Sequence, residues 1–190
     1  MSEQLIENFI NGRCWSDIDS REVSLFVNQG EAHVRKLVDI AVSDSKDISW
    51  RTAWLLGRSI NKSTNPIHKF YLKIIKGIRG KDSGHQRELI KLVIDKNLSN
   101  EEEGRLFEAC VEIWKDIHKK PGTRSYACNY IHKMITKYPD LKNELAGLFD
   151  MKYLETLSPA IKKSIQKKTT TFLWRFLVGN EGLEPPTSSL

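Results

Sequence analysis

The sequence predicts an all-α protein whose helix pairs stack into an α-α superhelix, and three observations predict it. Apolar residues recur at helical spacing along nearly the whole chain. The alternation of period two that a half-buried strand requires is never sustained. Finally, an arginine recurs near the start of every second helix, at Arg51, Arg87 and Arg124, with separations of 36 and 37 residues. Each is preceded by another amphipathic helix centred 14 to 17 residues upstream, near Leu37, Leu72 and Phe107. A helix pair repeating on such a period cannot bury its apolar faces alone, so stacked neighbours must supply the core.

The elements follow in order. Val34, Leu37, Val38 and Ala41 form the first clear stripe. After the polar break from Ser43 to Lys46, Trp50, Ala53, Trp54 and Gly57 form the next, with Asp47 or Ser49 placed to cap that helix by accepting from a free backbone N–H. Ile67, Phe70, Tyr71, Ile74, Ile75 and Ile78 make a broad buried face, with Lys69, Lys73 and Lys76 opposite, and Gly80 ends the helix. Ser83 and Gly84 open a helix carrying Leu89, Leu92 and Val93 that is expected to run to about Asn97. Ser99 followed three residues on by Glu102 reads as a capping box. It begins a long helix expected to bury Leu106, Ala109, Cys110, Ile113, Trp114 and Ile117 before Lys119, Lys120, Pro121 and Gly122 make the turn. Ala127, Tyr130, Ile131, Met134, Ile135 and Tyr138 repeat the stripe, and Pro139 stops it. Two or three weaker helices follow through Leu148, Leu154 and Ile165, and two more are expected near the start, around Leu5 to Ile10 and Val23 to Val27.

A chain of 190 residues, 39% apolar and 28% charged, can build one domain with a sizeable core. That domain is taken as residues 1–168. Residues 169–190 form an extra tail, irregular or disordered from 179, where the stripe gives way to Gly, Pro and Ser. The run Gly182-Leu183-Glu184-Pro185-Pro186-Thr187-Ser188 resembles the peptide read from the complement of a tRNA gene through its T-arm. The resemblance implies a reading frame that has run into such a gene and a domain that ends near Lys168. No apolar run approaches the roughly 18 residues of a membrane span, and Glu3 and Glu7 stand where a secretory signal carries Lys or Arg, so a cytoplasmic location is expected. Cys14, Cys110 and Cys128 form no CxxC pair and are expected as buried thiols.

The net charge of +6 is uneven. Residues 1–48 hold nine acids against five bases, whereas residues 58–96 hold ten bases against Asp82, Glu88 and Asp95. Clustered lysines attract polyanions, which makes Lys69, Lys73, Lys76, Arg79 and Lys91 a candidate polyanion-binding set; a solvated helix face accounts for the same residues. The chain offers little to a chemist. Its histidines (His33, His68, His85, His118, His132) lack HExxH or His-x-His spacing, and no GxSxG elbow, P-loop or GxGxxG occurs. No catalytic residue, cofactor or metal site is expected.

Arg124-Ser125-Tyr126-Ala127, continued by Tyr130-Ile131, resembles the second helix of HEAT repeats, Val-Arg-x-x-Ala-x-x-Ala-Leu. Trp50-Arg51-Thr52-Ala53-Trp54-Leu55-Leu56 matches more loosely, and Gln86-Arg87 more loosely still. The resemblance, over roughly residues 31–138, implies that Arg51, Arg87 and Arg124 are structural and tie one repeat to the next. HEAT-like DNA glycosylases of the alkyl-base repair type imply a second reading, in which Trp114 and Asp116, with Lys115, Lys119, Lys120 and Arg124 nearby, would meet a damaged nucleoside and its phosphates. Burial of Trp114 beside Cys110 in the apolar stripe is the competing account. The segments Ser49 to Leu56, Gly84 to Leu92 and Gly104 to Trp114 also resemble a small bacterial all-helical family often labelled adenylosuccinate lyase. Lyases of that kind use a Gly-Ser-x-x-Met-x-x-Lys-x-Asn loop, whereas this chain has methionine only at Met1, Met134 and Met151, none in that context. The motifs therefore lean away from an enzyme.

The function expected is a non-catalytic helical-repeat adaptor presenting a surface to a protein partner. The alternative is a nucleic-acid-binding or alkyl-base DNA-repair-like protein.

Overall fold

The computed structural model describes residues 24–25, 27–59, 66–141 and 146–177, and among these it contains helices and no strand. The chain divides into two compact units, residues 1–109 and 110–190.

In the first unit, α1 (Glu31–Val42) packs on α2 (Lys46–Ser59), and α2 packs on α4 (Ser83–Val93). A 3-10 segment (Pro66–Phe70) leads into α3 (Tyr71–Lys76), which lies against both α1 and α4. The first part of α5 (Asn100–Lys115) completes the unit. The stripe of α1 is buried as its spacing requires: Val34, Leu37, Val38 and Ala41 are all fully enclosed. The six residues of the stripe from Ile67 to Ile78 are buried too. They are spread over a 3-10 turn, a short helix and the following turn rather than one continuous helix.

Helix α2 departs from its expected face by one residue. Its buried positions are Ser49, Thr52, Ala53, Leu55, Leu56 and Ser59, while Trp50 is 36% exposed, Trp54 half-buried and Gly57 exposed. Apolarity alone placed the indoles inward. Small side chains face inward instead, and they let a helix approach its neighbours closely. Two of the polar ones cost little, because the Ser49 hydroxyl donates to the Ser45 carbonyl at 2.7 Å and Thr52 to Ile48 at 2.9 Å. The helix also starts earlier than expected, at Lys46, with Ile48 and Ser49 donating to the Ser45 carbonyl. Asp47 and Ser49 therefore sit inside the first turn instead of capping it.

Other boundaries follow from local chemistry. Asp82 caps α4, accepting from the backbone N–H groups of Gly84 (2.8 Å) and His85 (3.1 Å), and the helix ends at Val93 rather than near Asn97. The capping box of α5 is reciprocal: Ser99 N–H donates to Glu102 at 2.8 Å, and Glu102 N–H reaches the Ser99 hydroxyl at 3.4 Å. Helix α5 stops at Lys115, and Asp116 accepts from His118 N–H at 2.9 Å to turn the chain. Ile117, expected in the core, is thereby left 42% exposed.

The second unit holds the end of α5, then α6 (Pro121–Lys137), 3-10 turns at Pro139–Leu141 and Ala146–Phe149, the short α7 (Met151–Leu154) and α8 (Pro159–Leu177), which packs on α6. Pro121 occupies the first turn of α6, where its missing N–H would find no helical partner in any case. Ala127, Cys128, Tyr130, Ile131, Met134 and Ile135 are buried with Trp114, Leu148, Leu154, Leu157 and Ile165. Tyr138, expected on that stripe, leaves the helical conformation as its C-cap (φ −126°) and is 37% exposed. Helix α8 passes residue 168 without a break and continues to Leu177. The expected helix at Leu5 to Ile10, Cys14 and residues 178–190 lie outside the described residues; of Val23 to Val27, Ser24, Leu25 and Val27 are helical, with Val27 fully buried.

Two glycines close the turn after α3. Gly80 adopts φ +76°, a conformation that favours glycine. Gly77 is required for a different reason: a Cβ there would lie 2.8 Å from Cβ of Val42, an atom that no rotamer change can move aside. Gly77→Ala is expected to destabilise the first unit by about 1–3 kcal/mol, read as a lower urea midpoint at unchanged helical circular dichroism.

His132 supplies a pH dependence. Its ring is 8% exposed and packs on Phe149 with centroids 4.8 Å apart. Burial first, and the Lys168 charge second, hold its pKa down to about 4. The unfolded chain, with an ordinary histidine pKa near 6.5, takes up a proton that the folded state refuses. This contribution to stability is therefore complete above that value and is lost as pH falls toward about 4. Urea unfolding is expected to lose about 2 kcal/mol between about pH 7 and pH 5 from this group, and His132→Gln to flatten the profile.

Candidate functional site

Four of the five sequence-nominated cations are already engaged. Lys69 of the 3-10 segment meets Glu31 of α1 at 2.5 Å, and Lys73 of α3 meets Asp39 of α1 at 2.6 Å. Lys81 pairs with Asp44 close by. Arg79 reaches Glu108 at 3.3 Å, and Lys91 reaches Glu88 at 2.7 Å. Lys76 is exposed on α3, with no such ion pair among the described residues. Three acids of the sequence's acidic start, Glu31, Asp39 and Asp44, thus face bases of its middle. Hydrogen bonding from Lys69 is the largest influence on the Glu31 carboxyl and lowers its pKa, and Lys81 does the same for Asp44. Pairs as exposed as these add little stability, but they fix which helix faces which.

The three arginines have three different surroundings. Arg51 lies over the Trp50 ring, 5.4 Å from its centroid. Arg87 converges with Lys91 on the buried Glu88 carboxylate, at 2.9 Å and 2.7 Å, and so partners a residue of its own helix. Arg124 is fully buried. Its Nε donates to the Trp114 carbonyl (3.1 Å), Nη1 to the Thr156 hydroxyl (2.7 Å) and Nη2 to the Tyr153 carbonyl (2.5 Å), while the guanidinium stacks 4.7 Å over the Trp114 ring. One planar group with donors on three sides thereby joins α5, α6 and the segment after α7.

In the first unit, residues overlooked by the sequence reading make the corresponding joint. His85 Nε2 lies 2.6 Å from the Ala41 carbonyl, which can only accept, so Nε2 carries the proton. Its Nδ1 lies 3.4 Å from the Ser49 hydroxyl. Gln86 donates to the Ile78 carbonyl at 3.1 Å. Burial lowers the His85 pKa and keeps the ring neutral. Ser49 and His85 are 36 residues apart, the same interval as Arg51 and Arg87, two positions earlier on the same pair of helices. The interval was the available signal; the larger charged residue drew the assignment away from it.

Trp114 is fully enclosed, with its indole N–H donating to the Leu148 carbonyl at 2.5 Å, and it presents no face to a nucleobase. The Cys110 and Cys128 thiols are buried; desolvation pushes Cys110 far up and Cys128 up to about 12, which removes the thiolate a nucleophile needs. Among the described residues no group of His, Cys, Asp or Glu side chains could hold a metal ion. What remains outward on α2 is an aromatic and cationic strip: Trp50 and Trp54, one turn apart, with Arg58 stacked 4.9 Å over the Trp54 ring as Arg51 is over Trp50.

Arg124→Met is expected to cost about 3 kcal/mol or more, because it leaves the Trp114 and Tyr153 carbonyls buried without their donor. Arg124→Lys keeps the charge but cannot span three acceptors, so it should recover less than half of that loss in urea unfolding.

No helix among the described residues is long and apolar enough to cross a membrane. No curated protein and no solved structure is significantly similar to the chain. A family model described as a HEAT repeat domain matches residues 13–171, most of the length. Paired helices and this match lead to one conclusion: the chain belongs to the HEAT-repeat family, with an all-α helical-repeat fold.

Proposed function

We propose that the protein is a non-catalytic HEAT-repeat adaptor that binds a protein partner through the outward strip of α2. The observation that carries this reading is the placement of Trp50, Arg51, Trp54 and Arg58 on the outer side of a helix whose inner side is already packed. Tryptophan and arginine dominate binding energy at protein interfaces, since each offers a large flat surface at modest entropic cost. Here each indole is already stacked by its own arginine, so the strip is partly ordered before a partner arrives, which lowers the entropy lost on docking. The inward chemistry supports the reading from the other direction. The buried histidines and thiols are spent on packing and on internal hydrogen bonds, and four of the five nominated cations on ion pairs within the first unit.

Affinity capture with the full chain from its native cells, followed by reconstitution with the purified candidate, is expected to give a defined protein complex. Trp50→Ala with Arg58→Glu should weaken it at least about tenfold, roughly 1.4 kcal/mol, with the melting temperature of the free protein nearly unchanged. A complex indifferent to those substitutions would overturn the assignment of the strip, and turnover of a substrate by the purified protein would overturn the non-catalytic reading.

A further inference from the structure

Gly77 and Gly80 are demanded by the fold, the first by the Val42 side chain and the second by its positive φ. Gly57 is not. It lies inside α2 with a helical backbone and negative φ, and a Cβ there would touch Cδ2 of Leu92 at 3.6 Å, an ordinary van der Waals contact. Alanine therefore fits, and in a helix it is the more stable residue, because glycine has more backbone freedom to lose. A local choice that lowers stability and that packing does not require points to use elsewhere.

What Gly57 leaves is a gap in the outward strip. Trp50, Trp54 and Gly57 stand at i, i+4 and i+7, on one face of α2. Two indoles occupy that face, and the third position is exposed bare backbone. The gap borders α4, because the two helices run side by side in the same direction: Ser49 meets His85 near their starts, and Gly57 meets Leu92 near their ends. Its floor is thus the buried, aliphatic Leu92, with Trp54 one turn back along α2. The next residue, Arg58, is exposed and stacks 4.9 Å over the Trp54 ring, and its guanidinium has no ion pair among the described residues.

We propose that Gly57 determines the specificity of the α2 strip by seating a bulky aliphatic or aromatic side chain from an amphipathic helix of the protein partner, while Arg58 receives a carboxylate one turn away on that helix. The inference rests on the α2 strip being the partner surface. A helix suits the strip because its side chains repeat at the one-turn interval that separates Trp50, Trp54 and Arg58 along α2. Bare backbone at Gly57 lets that helix come close. The planar guanidinium, held against the indole, presents paired N–H donors that match a carboxylate.

The test pans a display library of short helical peptides against the immobilised full chain and measures the enriched peptide, synthesised and labelled, by fluorescence anisotropy. The enriched sequences are expected to share a Leu, Ile, Met or Phe with an Asp or Glu about three or four residues away. Gly57→Ala should weaken binding at least about threefold and Gly57→Gln at least about tenfold, while both raise the melting temperature of the free protein by about 1–4 °C. Gly104→Ala makes the same exchange at an open helical position on α5, and should raise the melting temperature alike while leaving affinity within about twofold. Arg58→Glu should cost at least about tenfold, most of it recovered by a peptide whose carboxylate is replaced by lysine. Loss of binding in Trp50→Ala with undiminished binding in both Gly57 variants would overturn the seat and leave the strip standing, whereas a peptide indifferent to Trp50→Ala as well would overturn the strip itself. A lowered melting temperature in Gly57→Ala would show that the fold needs the glycine and would overturn the inference. So would a library that yields no common sequence or one without an acidic residue, or tighter binding of a duplex DNA that Arg58→Glu abolishes.

Discussion

A helix end buried under its neighbour leaves carbonyl groups that no helical N–H can reach, and each must find a donor or cost free energy. The packing of both units depends on how this is met. At the end of α1, the Ala41 carbonyl is reached by His85 from α4. After α3, the Ile78 carbonyl is reached by Gln86 of the same helix. At the end of α5, the Trp114 carbonyl is reached by Arg124 from α6, which also takes up the Tyr153 carbonyl. In every case the donor comes from the first turns of a later helix, where the side chain points back over the preceding hairpin. The repeat is thus defined by a task, and different residues carry it out.

That distinction explains what could be read from the sequence. Long stripes of aliphatic residues, as on α1 and from Ile67 to Ile78, announce their buried face without ambiguity, because only one rotation of the helix hides them all. The interval of 36 residues was legible for the same kind of reason. Helix α2 was harder. With serine, threonine, alanine, leucine and tryptophan interleaved, two faces one residue apart compete, and the choice rests on how closely α1 and α4 approach, which is tertiary information. Ile117 and Tyr138 stayed on their stripes in the sequence because periodicity carries on past the point where Asp116 and the Tyr138 backbone end their helices.

Charge followed another rule. A local count over residues 58–96 sees a basic segment, yet three of its bases, Lys69, Lys73 and Lys81, are answered by acids placed earlier in the chain. Separation in sequence is no guide to separation in space when helix pairs fold back on each other. The count becomes informative only when taken over a compact unit, within which opposite charges can meet. Taken that way, the balance of residues 1–109 is almost neutral, and the excess of the whole chain belongs to residues 110–190.

The same economy bears on function. A buried histidine neutralised by desolvation, two thiols pushed out of the reactive range and a guanidinium spent on carbonyls are groups that catalysis could have used and packing has claimed. On the reading proposed above, recognition falls to side chains the core has no use for, the stacked indoles and guanidiniums of α2. Such a strip gains most from excluding water, whereas contacts between exposed charges are screened by salt.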